Sequence, residues 1–102
     1  LHEGVAVSDF FARRDLKDAT AYSSAGAWFN FQFESPQQLI FNDSGTPVLI
    51  SFDGQNDHGR LQGTGPSKVI EWNDHIRKQL WVRREAGSGG APLIVEVYAS
   101  TR

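Results

Sequence analysis

The chain has 102 residues, of which 39% are hydrophobic and 12% aromatic, a size and composition typical of one packed domain. It has no cysteine, which excludes disulfide bonds and thiolate zinc sites. The formal net charge of −2 at pH 7 argues against nucleic acid as a partner, because domains that bind it are usually basic. The apolar runs are far shorter than the ~20 residues that a membrane-spanning helix needs, so no membrane partner is expected.

The start of the chain lacks a clear hydrophobic period, and residues 1–26 are predicted to form an N-terminal arm. The alternative is a helix that begins at Ser8, since Ala12, Leu16 and Ala19 would then share one apolar stripe. Such a helix would lack a glutamate at the capping-box position, and its stripe would be narrow. We therefore expect an extended arm, or one with a single helical turn, that leads into the following domain.

From residue 27 onward, apolar side chains recur at every second position, as in a strand with one buried face. Four segments show this alternation: AWFNFQF at 27–33, PVLISFD at 47–53, KQLWVRR at 78–84 and PLIVEVYAS at 92–100. The side chains that share one face in each segment are Phe29, Phe31 and Phe33; Val48, Ile50 and Phe52; Leu80 and Val82; and Leu93, Val95, Val97 and Ala99. The alternation does not identify which face of each strand is buried.

Weaker strand patterns occur at QQLIFN and SKVIEW, and turn residues such as NDSGTP, GTGPS and EAGSGG separate the segments. Short strands at this spacing predict an all-β fold over residues 27–102. We expect a single small β-sandwich, jelly-roll or Ig-like, with about six to eight antiparallel strands. A small barrel and an α+β domain with a flat sheet are the alternatives.

The loop SFDGQNDHGRL, Ser51 to Leu61, concentrates polar side chains around two glycines. It does not match an EF-hand, because His58 and Thr64 occupy the positions of the required glycine and glutamate. It does not match a P-loop, which needs a lysine and a hydroxyl after its second glycine. The Asp-Gly pair after an alternating strand instead predicts the turn of a hairpin. A looser calcium site within the segment Asp53–His58 remains an alternative.

No catalytic, cofactor-binding or metal-binding residues are predicted, and we do not expect an enzyme. His58 and His75 lie on different predicted turns, and His2 lies near the start of the chain, so no pair of histidines has the spacing of a metal site. No Gly-x-Ser-x-Gly motif occurs, and a sandwich of this size has little room for a deep pocket. A small-molecule substrate is therefore not expected.

Basic and aromatic side chains mark candidate contact surfaces for a partner. In IRKQLWVRR, Arg77, Gln79, Trp81 and Arg83 would project from one face of a strand, a combination common in protein hot spots. The predicted arm carries a similar group. The candidate partner contacts are Phe10, Phe11, Arg13, Arg14, Arg77, Trp81 and Arg83. Trp28 and Trp72 are also candidates for a carbohydrate-stacking platform if two tryptophans are exposed on one face.

Two stretches, PVLISFDGQNDHGRL and KQLWVRREAGSGGAPLIVEVYAST, resemble small β-sandwich structural proteins of tailed bacteriophages, over residues 47–101. The resemblance implies a non-enzymatic virion protein, either a capsid decoration or cement protein or a component of the head–tail or tail attachment. It implies a homo-oligomer located in the virion, with copies of itself and other virion proteins as partners and no cofactor. The alternative function is a carbohydrate-binding β-sandwich module that uses exposed tryptophans and the segment Asp53–His58.

Overall fold

The computed structural model describes residues 8–85 and 92–101, which form two four-stranded antiparallel sheets packed on a shared core. The strands are β1 (Asp9–Asp15), β2 (Trp28–Ser35), β3 (Gln37–Asn42), β4 (Val48–Ser51), β5 (Gly59–Leu61), β6 (Val69–Trp72), β7 (Arg77–Arg84) and β8 (Ile94–Ser100). The first sheet has the order β1-β8-β3-β6 and the second has the order β2-β7-β4-β5. No helix in the described part of the chain has the length and apolar character to cross a membrane.

The strand order is that of a jelly roll. Strand β1 pairs with β8, β2 with β7, β3 with β6 and β4 with β5, so the first four strands and the last four form one long hairpin. Successive pairs of this hairpin lie in alternate sheets, which is how a jelly roll is wound. The prediction of a single small β-sandwich is confirmed, and this order distinguishes the jelly-roll alternative from the Ig-like one.

The inner faces of both sheets form the core. Strand residues that the alternation grouped together are almost completely buried, so these groups mark the inward faces. They include Phe29, Phe31, Val48, Ile50, Leu80, Val82, Leu93, Val95, Val97 and Ala99. Two predicted members, Phe33 and Phe52, are only partly buried and pack at the border of this core.

The segment assigned to an arm belongs to the sandwich over its described part. Asp9–Asp15 forms the edge strand β1, paired with β8 from Asp9 opposite Ser100 to Asp15 opposite Ile94. The two following apolar side chains, Leu16 and Ala19, are buried in the core. The division at residue 26, and the alternative helix, are therefore wrong for residues 8–26. Pairing with β8 satisfies the backbone groups on one side of β1. Burial of Leu16 and Ala19 removes these two side chains from water, whereas Phe11 stays exposed.

Arg14 closes the gap between the two edge strands β1 and β2. Its guanidinium lies 4.1 Å from the centre of the Phe29 ring. Its Nη1 donates hydrogen bonds to the backbone carbonyls of Gly26 and Trp28, at the start of β2. A charged side chain directed inward from an edge strand also discourages unwanted strand pairing. Arg14, predicted as a partner contact, is thus engaged within its own chain.

The loop between β4 and β5 is the tip of the long hairpin. Ile50 lies opposite Gly59 in the register, and the backbone N–H of His58 donates to the carbonyl of Ile50 over 2.7 Å. The predicted hairpin turn is confirmed. Residues 86–90 of the predicted glycine-rich turn EAGSGG lie outside the described residues, as does His2.

Candidate interaction surfaces

An apolar groove lies on the outer face of the first sheet. Phe11 of β1 and Leu39 of β3 both lie opposite Tyr98 of β8, so the three side chains form one row across the sheet. The Phe11 and Tyr98 ring centres are 4.8 Å apart. Phe11 is 56% exposed and Tyr98 39% exposed, although both are large apolar side chains. This row therefore presents apolar surface to solvent at the centre of a sheet face.

The groove has a volume of about 370 Å³. Its lining consists of Asp9, Phe10, Phe11, Gln37, Leu39, Glu71, Tyr98, Ala99 and Ser100. The floor is apolar. Two carboxylates lie at its border, those of Asp9 on β1 and Glu71 on β6. The Glu71 carboxylate accepts a hydrogen bond of 2.6 Å from the Gln37 amide. A partner that fits this groove would insert an apolar or aromatic side chain between two acidic borders.

A second row of the same face limits the groove on one side. Arg13 forms an ion pair with Glu96 and lies 3.6 Å from a carboxylate oxygen of Asp43. Glu96 also accepts a hydrogen bond of 2.9 Å from the hydroxyl of Tyr98. This hydrogen bond raises the pKa of the Tyr98 phenol. Arg13, another predicted contact, is thus paired with neighbouring carboxylates.

A pair of tryptophans lies on the outer face of the second sheet. Trp28 of β2 lies opposite Trp81 of β7 in the register. Trp28 is 49% exposed, and its indole N–H donates a 2.9 Å hydrogen bond to the side-chain carbonyl of Gln79. Trp72 does not join this pair, because it packs edge-on against Phe52 beside the core. The exposed aromatic surface of this face thus comes from Trp28 and the partly exposed Trp81.

The hairpin-tip loop folds over this face and is organised by Asp53. One carboxylate oxygen of Asp53 accepts backbone N–H groups of Gln55 at 2.8 Å and Asn56 at 2.9 Å. The other accepts the side-chain N–H of Asn56 at 2.9 Å. The bond from the Asn56 backbone, followed by that from Gln55, lowers the pKa of Asp53 far below its usual range. The carboxylate therefore holds the turn, which is the role expected of an Asx-turn residue.

Gly54 lets the loop approach the sheet closely. Its φ is +78°, in the left-handed region that favours glycine. A Cβ atom at this position would lie 3.0 Å from Cε2 of Trp81. The absence of a side chain at Gly54 is therefore what allows the loop backbone to rest on the indole.

A polar recess, which we call the Tyr22 recess, lies beside this contact. It has a volume of about 360 Å³ and is lined by Thr20, Ala21, Tyr22, Ser23, Gly54, Gln55, Asp57 and Arg83. The Tyr22 hydroxyl donates a hydrogen bond to Asp57. The Arg83 guanidinium lies 3.3 Å from both carboxylate oxygens of Asp57 and 5.1 Å from the centre of the Tyr22 ring. Burial, and next the bond to Asp57, raises the pKa of Tyr22.

The predicted partner contacts thus separate into different parts of the molecule. Phe11 lies in the apolar groove, whereas Phe10 borders the groove but packs its ring 5.1 Å from that of Phe31 at the core. Arg83 lines the Tyr22 recess, and Trp81 lies beside it. Arg77 does not share an exposed patch with them. Its side chain is only 14% exposed and packs 3.8 Å from the centre of the Phe52 ring. Whether any of these residues contacts a partner stays a prediction.

Sequence reasoning missed Leu39 and Tyr98 as groove residues and Tyr22 as a recess residue. A signal for Tyr98 was present, because it is an aromatic residue on the polar face of PLIVEVYAS. Leu39 and Tyr22 carried no such signal. Their roles depend on strands and loops that are distant in the sequence and adjacent only after folding.

The two described histidines are held separately. His58 Nε2 lies 3.8 Å from a carboxylate oxygen of Asp53, and His75 Nδ1 lies 3.1 Å from one of Asp74. Asp53 and Asp57, which a calcium site in this loop would need together, are engaged by different partners. Among residues 8–85 and 92–101, no three histidine or acidic side chains are grouped as a metal site requires.

No protein-family model matches the sequence, and no curated protein shows significant similarity to it. The geometry of the two outer sheet faces therefore carries the functional argument.

Proposed function

We propose that this protein is a non-enzymatic structural subunit of a bacteriophage virion, which acts through protein–protein contacts in a symmetric assembly. The observation that carries the proposal is the apolar groove around Phe11, Leu39 and Tyr98. Contiguous apolar surface on a small domain is characteristic of protein interaction sites. The resemblance of residues 47–101 to phage structural proteins is the reason for proposing a virion as the assembly.

The fold suits such a role without being sufficient for it. Jelly rolls occur in viral capsid domains, and also in lectins and in cupins, so the architecture alone does not select a function. The groove adds a specific feature, because it lies on the outer face of the first sheet and includes Phe11 of the edge strand β1. Many weak contacts of this kind, repeated by symmetry, give a stable assembly through avidity.

We assign the groove to a neighbouring subunit that inserts an apolar or aromatic side chain. The carboxylates of Asp9 and Glu71 at its border favour a basic residue next to that side chain. Loss of the Phe11 ring would remove exposed apolar surface from the groove while leaving the buried core intact. Phe11→Ser should therefore weaken assembly without unfolding the domain.

The test compares association of the full chain with that of two variants. Native mass spectrometry of the chain, and its co-sedimentation with purified phage particles, measure self-association and particle binding. We expect Phe11→Ser to weaken the association at least tenfold, the effect of losing a well-packed hot-spot side chain. Ile76→Ser is the matched control, because Ile76 is 66% exposed and lies outside the groove. A chain that neither self-associates nor binds particles would overturn the proposal.

A further inference from the structure

We propose that the Tyr22 recess, together with the neighbouring tryptophans, is a binding site for a neutral saccharide. The recess lies on the outer face of the second sheet, whereas the apolar groove lies on the first. The two surfaces involve different residues, so saccharide binding is a separate activity from subunit assembly. Either proposal can fail without the other.

The centre of the recess is held rigidly. The Tyr22 ring is buried, and its hydroxyl anchors Asp57. Arg83 contacts the same carboxylate, and its Nη1 donates to the carbonyl of Arg84 over 3.3 Å. A ligand that binds here therefore meets groups that are already ordered. Preorganisation of this kind lowers the entropic cost of binding.

Three polar side chains around this centre can form hydrogen bonds with a ligand. The hydroxyls of Thr20 and Ser23 and the amide of Gln55 make no side-chain hydrogen bond to another residue in the part of the chain that the structure describes. Each of these groups both donates and accepts hydrogen bonds. A ligand that carries several adjacent hydroxyls, each also donor and acceptor, matches such a lining.

Charge selects a neutral ligand over an ion. The single carboxylate of the recess, on Asp57, is paired with its single guanidinium, on Arg83. An anion would meet the carboxylate, and a cation would meet the guanidinium. A neutral polyol gains hydrogen bonds to both charged groups, and such charge-assisted bonds are stronger than bonds between neutral groups.

The aromatic surface beside the recess completes the site. Gly54, which lines the recess, covers part of the Trp81 indole. The exposed indole of this face is that of Trp28, the cross-strand neighbour of Trp81. The apolar C–H face of a pyranose ring packs well on an indole while its hydroxyls face polar groups. The recess volume of about 360 Å³ falls within the range of small-ligand sites and accommodates one or two sugar rings. A longer glycan would extend from the recess along Trp28.

The first step of the test is a glycan array probed with the full chain. The mono- or disaccharide units of the glycans that bind are then titrated into labelled protein and followed by NMR. We expect the largest shifts at the backbone amides of Tyr22, Gly54 and Gln55 and at the indole N–H of Trp81. Shifts confined to the apolar groove would contradict the assignment of the site.

Gln55→Ala is the decisive variant, because the Gln55 side chain is exposed and makes no hydrogen bond within the described residues. We expect it to weaken saccharide binding about threefold to tenfold, as loss of one or two hydrogen bonds would. Gln62→Ala, an exposed glutamine outside the recess, is the matched control and keeps full affinity.

Four outcomes overturn the proposal: no saccharide binds, the NMR shifts are confined to the apolar groove, binding is unaffected by Gln55→Ala, or the recess binds a peptide or a simple ion instead. Phe11→Ser serves as the cross-check on independence, since it should weaken subunit association at least tenfold and leave saccharide affinity unchanged.

Discussion

Arg77 joins the two sheets through Gln38: its Nη1 donates a 2.9 Å hydrogen bond to the side-chain carbonyl of Gln38. Gln38 is completely buried in β3, and its amide donates to the backbone carbonyl of Ser35 over 2.6 Å. Arg77 begins β7 in the opposite sheet and stacks on Phe52. A residue predicted to contact a partner therefore contributes to the stability of its own sandwich.

Replacing Arg77 by methionine should destabilise the fold. The variant keeps an apolar chain over Phe52 but leaves the buried carbonyl of Gln38 without its donor. An unsatisfied buried polar group costs about 1–3 kcal/mol, and we expect a loss of this size in the free energy of unfolding measured with urea. Lys78→Met, at the exposed next position, is the control and should change stability by less than about 0.5 kcal/mol. Equal effects of the two variants would refute the role of the Arg77–Gln38 bond.

The contact between Gly54 and Trp81 predicts a difference between two glycine variants. Gly54→Ala and Gly45→Ala both place a side chain at positive φ, +78° and +82°, which costs about 1–2 kcal/mol. Only at Gly54 would the new Cβ meet a neighbour, Cε2 of Trp81 at 3.0 Å, whereas nothing lies within 4 Å at Gly45. We expect Gly54→Ala to cost about 1 kcal/mol more, through overpacking.

Urea denaturation measures the stability difference between the two glycine variants, and the NMR signal of the Trp81 indole reports the contact directly. The indole signal should shift in Gly54→Ala and stay in place in Gly45→Ala. Identical stabilities with an unshifted indole would mean that the loop does not rest on Trp81.

The lowered pKa of Asp53 makes part of the stability dependent on pH. The carboxylate accepts hydrogen bonds from Asn56 and Gln55 only in the folded loop, so the folded pKa lies below the unfolded value of about 3.9. The stabilising contribution is therefore present above pH ~4 and is lost as the pH falls through the folded pKa. Asp53→Asn should lower the melting temperature at neutral pH, and its difference from the wild type should shrink in acid.

The control for this pH dependence is Asp18→Asn. The Asp18 side chain is exposed and accepts no hydrogen bond from another described residue. Its substitution should leave the melting temperature nearly unchanged at every pH. A stability difference for Asp53→Asn that stays constant from neutral to acidic pH would argue against the carboxylate as the organiser of the loop.

Much of the sandwich was predictable because the strands that build its centre bury one face. The alternation placed Leu80 and Val82 on one face of KQLWVRR, and Val95 and Val97 on one face of PLIVEVYAS. All four are buried. The edge strand β1 was missed because its inward positions include only one large apolar residue, Phe10, and the charged Arg14. An edge strand pairs with only one neighbouring strand and often carries charged residues at inward positions, so its alternation of apolar and polar residues is less clear.

The order of the strands and the two surfaces were not predictable from local patterns. Alternation identifies the faces of a strand but not the strands that pair with it. Asp9 meets Ser100, and Tyr22 meets Asp57 and Arg83, only because the long hairpin winds back on itself. Phe11 was predicted as a contact residue, but the row that it forms with two other strands required the register of the sheet.

The most direct test of the central claim is a cryo-electron microscopy map of the phage particle to which we propose that this chain belongs. We predict several symmetry-related copies in which a side chain of a neighbouring subunit fills the groove formed by Phe11, Leu39 and Tyr98. Particles that lack the chain, or a map in which this groove faces solvent in every copy, would contradict the account.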